Sequence, residues 1–92
     1  MQSTTTPTRV NYSDAELRAR LRASAQQRLT EAEAELVRLR SLLTKVEAEL
    51  QDPGLDAAVR EGCREQQAHL FAEFDVAQWQ AGEARNELQF YS

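Results

Sequence analysis

Few residues in this 92-residue chain carry reactive chemistry, and their spacing decides how far each can be taken. His69 is the single histidine. Glu65 and Glu73 stand four residues before and after it, so on a helix all three share one face. A carboxylate–imidazole–carboxylate row can hold a divalent metal weakly. Di-iron helical proteins, however, use Glu-x-x-His from paired helices, and here a Glu-x-x-x-His spacing occurs once. No metal and no other cofactor is expected, and His69 reads as a surface or seam-edge residue. Cys63 is the single cysteine. It lies nearly two helical turns from His69, too far for a nucleophile–base pair, and its place in an apolar stripe makes it a small hydrophobe. No glycine-rich phosphate loop and no Ser/His/Asp set occurs. A chain this short and this helical also offers no water-excluding pocket, so no enzymatic activity is expected.

Two more acids, Asp52 and Asp56, flank the stretch LQDPGLDAAV, where one periodic apolar pattern stops and another starts. Asp52-Pro53 followed by Asp56-Ala57-Ala58 resembles the tip of the DksA-type regulators. In that family, an acidic tip on a long antiparallel coiled coil enters the secondary channel of RNA polymerase. The resemblance covers only the turn. One extra residue separates the two acids, and the zinc-binding globular part of that family has no counterpart. The resemblance would make Asp52 and Asp56 an active tip; the simpler reading of both is a hinge. A second likeness, of architecture alone, is to the small helical-hairpin proteins of type III secretion, needle subunits and co-chaperones.

The elements that position these residues follow from periodicity. Ala, Glu, Gln, Leu and Arg dominate, the composition of long helices, and three Gly and two Pro allow few turns. Residues 1–12 are Ser/Thr-rich with Pro7 and read as a flexible arm. Ser13 followed by Glu16 forms a capping box, with Tyr12 and Leu17 placed as a hydrophobic staple. From there, Leu29, Ala32, Leu36, Leu39, Leu43, Val46 and Leu50 alternate steps of three and four, a heptad seam. Upstream, Leu17, Leu21, Ala25 and Leu29 step by four, so the stripe drifts around the helix. Pro53 pushes Asp52 out of the helical region and lacks the N–H a continuing helix needs. Asp52 is then expected to cap a second helix that begins at Pro53. Its seam runs through Cys63, Gln67, Leu70, Phe74, Ala77, Ala81, Ala84, Leu88 and Tyr91.

The expected fold is therefore all-α: residues 13–92 form an antiparallel two-helix hairpin of coiled-coil type. Helix 1 covers about 13–51, the turn 52–54, and helix 2 about 53–90. Folding back at Pro53 sets Leu50 near Ala57, Leu36 near Phe71 and Ala25 near Gly82. Each arm spans ~55 Å at ~1.5 Å per residue.

A lone hairpin buries little for its length, so pairing into a four-helix assembly is expected. Ala72, Val76, Trp79 and Phe90 lie at helical spacing on the face away from the seam, and Leu42 widens the seam of helix 1. Trp is a frequent interface anchor. These five residues are the candidate surface for another protein or for a second copy in a homodimer. The net charge of −4 argues against nucleic acid, which needs a basic face. The local run Arg9, Arg18, Arg20, Arg22, Arg28 reads as solvated charge. No apolar stretch approaches a membrane span, and one cysteine fits a reduced cytoplasmic setting. The functional expectation is a non-enzymatic interaction protein: an adaptor, small chaperone or inhibitor. The alternatives are the polymerase-channel regulator and a self-assembling structural or secretion-apparatus subunit.

Overall fold

A computed structural model describes residues 13–92. The expected arm, residues 1–12, and the Tyr12 half of the staple lie outside the described residues. Two helices make up the fold, α1 (Asp14–Leu50) and α2 (Ala57–Tyr91), packed antiparallel as a hairpin. Among the described residues, no helix is long and apolar enough to cross a membrane.

The start of α1 follows the capping box. The Glu16 N–H donates to Ser13 Oγ at 3.1 Å, and the Ser13 N–H donates to Glu16 Oε1 at 3.0 Å. These bonds, the one from the Ser13 backbone first, hold the Glu16 carboxyl below its usual range. Asp14 and Glu16 also place negative charge in the first turn, where the helix dipole favours it.

Two buried clusters fill the seam. Leu39, Leu43, Val46, Cys63, Leu70 and Ala77 form the first, toward the turn. Leu29, Ala32, Ala81 and Ala84 form the second, and half-buried Leu36 packs against both. Large side chains meet near the turn and alanines meet further along. The expected seam of both helices is thus the observed core. Its two upstream leucines are the exception: Leu17 and Leu21 stay 45% and 37% exposed.

The turn differs from expectation. Helix α2 does not begin at Pro53 with Asp52 as its cap. It begins at Ala57, and Asp56 is the N-cap, with Oδ2 accepting from the Ala58 N–H at 3.0 Å. Two Asp sites competed for the same role. A start at Pro53 would place Gly54 in the first turn, where glycine is a poor helix former, whereas a start at Ala57 opens on two alanines. Releasing residues 52–55 from the helix also lets Leu55 fold against the first cluster. Asp52 instead closes the turn: its Oδ1 accepts from the Gly54 N–H at 3.0 Å.

The far side of the turn is locked from α2. No basic residue stands in the last turn of α1. Arg60 supplies the missing charge, donating from Nη1 to the Leu50 carbonyl and from Nη2 to the Asp52 carbonyl, both at 2.8 Å.

The register is shifted by about one heptad from the expected fold-back. Arg28 bonds Glu87, and Arg85 bonds Glu33. Leu36 therefore lies level with the alanines Ala77 and Ala81, and Phe71 is left 46% exposed. The physical cause lies in the turn. Residues 52–56 rise past the end of α1 before α2 starts, so α2 projects beyond α1 at the tip. At the opposite end α1 projects beyond α2, and every residue from 13 to 24 is exposed.

Candidate interaction groove

Ala72, Val76 and Trp79 recur at steps of four and three along α2, which lines them up on one face. Packing against α1 turns this face into the wall of a groove. Two depressions, of about 380 and 300 Å³, share Glu35 and Gln80 and so run together. Trp79, Val76, Ala72, Ala77 and Ala32 supply the apolar lining. Trp79 is 66% exposed, so most of its ring surface is in water.

The rim is acidic. Glu31 and Glu35 come from α1, and Glu73, Glu83 and Glu87 from α2. Three of these carboxylates have cationic neighbours. Glu87 accepts a bidentate pair of bonds from Arg28, both at 2.7 Å. That bonding holds the Glu87 carboxyl below its usual range and raises Arg28 further. Glu35 accepts two bonds from Arg38, at 2.9 and 2.6 Å, which likewise lower its carboxyl. Glu73 has Arg38 Nη2 at 3.9 Å from its Oε1, and His69 Nε2 lies 2.6 Å from its Oε2. Glu31 accepts from the Gln27 amide, at 3.3 Å. Among the described residues, neither Glu31 nor Glu83 has an ion-pair partner.

The structure separates the other two candidate surface residues from this groove. Leu42 is half-buried against the first cluster, so it belongs more to the hairpin's own core than to an outer surface. Phe90 shares the outward face of α2 with Trp79 and is 80% exposed, yet it borders a different notch. Phe90 and Tyr91 meet there edge to face, with ring centroids 5.1 Å apart. The projecting part of α1 adds Asp14, Leu17, Arg18 and Leu21 to the same notch. Sequence reasoning missed the carboxylate rim. Trp79, Glu83 and Glu87 do recur at steps of four, which is a visible signal, but the α1 wall depends on register. It also missed the exposed apolar residues Val37 and Val59.

The remaining candidates are placed apart. Cys63 is buried in the seam, while the His69 side chain is largely exposed. Among the described residues, no group of three or more His, Cys, Asp or Glu is placed to hold a metal ion, and Glu65 does not join His69 and Glu73. Asp52 accepts from the Gly54 N–H within the turn, and Asp56 from the Ala58 N–H in the first turn of α2. No family model, no curated protein and no solved structure matches this chain.

Proposed function

We propose that the protein is a non-enzymatic interaction module whose working surface is the groove lined by Ala72, Val76 and Trp79. The observation that carries this reading is a tryptophan left two-thirds in water inside an acidic-rimmed groove. The hairpin packs its seam without Trp79, and most of the indole surface is left out of the fold. Large aromatic side chains of this kind act as anchors when a partner covers them. The groove runs along two helices and suits a third helix laid into it, with apolar residues inward and charge on the rim. Its carboxylates select a basic partner over an acidic one.

The test is a titration of the full chain with a synthetic amphipathic peptide that carries leucines on one helical face and arginines beside them. Trp79 emission should shift to the blue as the indole leaves water, and a peptide with the arginines replaced by glutamates should produce no shift. Equal response to both peptides, or to neither, overturns the reading.

A further inference from the structure

We infer that the helix laid in this groove is the projecting start of α1 from a second copy of the chain, and that two copies pair antiparallel and reciprocally. The inference rests on the groove reading and names its occupant.

The projecting segment has the chemistry the groove asks for. Leu17 and Leu21 are one turn apart and keep 45% and 37% of their surface exposed. Arg18 and Arg22, also one turn apart, are exposed beside them. The groove presents the complement: an apolar floor, with Glu31 and Glu83 lacking ion-pair partners among the described residues. The basic stretch of α1 and the acidic rim lie at different heights on the hairpin, so one copy cannot bring them together.

A two-fold axis can. The Arg28–Glu87 pair sets the level of one helix against the other. Counting along both helices from it, Phe90 lies level with about Ala25. An axis drawn across the hairpin at that level places the two Phe90 side chains at the centre. Arg18 lies about two turns to one side of the axis, ~10 Å at ~1.5 Å per residue. Rotation carries it the same distance to the other side, to the level of Ala32, where Glu31 and Glu83 flank the groove. Leu17 of one copy arrives within a turn of Trp79 of the other. Each copy gives one basic segment and receives one, the self-complementary arrangement of a closed dimer. The notch beside Phe90 and the Trp79 groove thereby become two parts of one surface.

Charge reversal on each side of the contact tests this directly. One variant combines Arg18→Glu with Arg22→Glu; the other combines Glu31→Arg with Glu83→Arg. All four sites are exposed, and circular dichroism checks that each variant stays helical. In sedimentation equilibrium the native chain should be a dimer, and each variant alone should dissociate more readily by on the order of 100-fold. An equimolar mixture of the two should recover dimer, because one contact is then native and the other is reversed on both sides. A native chain that is monomeric at high concentration overturns the inference. So do variants that dimerise like the native chain, or a mixture that stays monomeric. Should a variant lose helicity, the native chain carries the test: its dissociation constant should rise with added salt, and a salt-independent dimer sinks the proposal. A monomeric chain that still binds the arginine-bearing peptide would leave the groove reading standing and remove only the second copy.

Discussion

Replacing Trp79 with alanine separates the surface from the fold, and the size of each effect can be worked from exposure. A tryptophan side chain buries about 150–250 Å² when fully covered. Trp79 is 66% exposed, so roughly 150 Å² waits for a partner and roughly 80 Å² is already spent against its own chain. At ~25 cal/mol per Å², covering the open part contributes about 4 kcal/mol per groove, or close to a thousandfold in dissociation constant. The covered part limits the loss of hairpin stability to about 2 kcal/mol. Trp79→Ala should therefore weaken association about twice as much, in free energy, as it weakens the fold. Sedimentation equilibrium reads the first effect, and urea unfolding followed by circular dichroism reads the second. If association, and affinity for the basic peptide measured calorimetrically, both stayed within twofold of the native values, the reasoning from exposure to function would be refuted.

Leu39→Ala should show the opposite pattern. Leu39 is completely buried, so its loss should cost about 3 kcal/mol in urea unfolding; a cost under 1 kcal/mol would mean the seam is not packed as described. Gly62→Ala should raise the thermal midpoint, contributing up to ~1 kcal/mol, because Gly62 lies within α2 and an added Cβ meets nothing within 4 Å. A lowered midpoint would contradict that open space. Stability should also fall in acid. Glu16, Glu35 and Glu87 have their folded-state carboxyl values lowered, by bonds from Ser13, Arg38 and Arg28 respectively. Their contribution is complete above the unfolded carboxylate range, ~4.3, and is lost as pH falls through the lowered folded values. Urea midpoints should hold from neutral pH to about 5 and then drop; a flat profile down to pH 2 would remove these pairs from the account.

The capping box, both apolar stripes and the outward alignment of Ala72, Val76 and Trp79 were legible because each depends on residues within two turns of one another. The start of α2 was not. Asp52-Pro53 and Asp56-Ala57 both satisfy the local rules for a cap; Gly54 weighs against the first, and where Leu55 finds apolar neighbours adds to the choice. The register escaped for a related reason. A heptad seam slid by one repeat still sets apolar residues against apolar residues, so Leu36 fits Phe71 as well as it fits the alanines at 77 and 81. The slip decides which groups become surface. It leaves Phe71, Leu17 and Leu21 partly exposed, and it brings Glu31 and Glu35 across from Trp79. The groove is therefore a property of two helices in one alignment, and no single helix displays it.

The clasp made by Arg60 gives the hairpin a direction of folding. Leu50 and Arg60 are only ten residues apart in the chain, while Arg28 and Glu87 are separated by 59. Closing a short loop costs less chain entropy than closing a long one, so the tip is where the two arms should first meet, zipping away from it. Amide exchange should accordingly be slowest among the seam residues near Leu43 and Leu70 and fastest around Leu17 and Leu21. The end expected to open most readily is the same end that carries the basic segment, so in the proposed dimer that segment can be exchanged between copies without dismantling the rest.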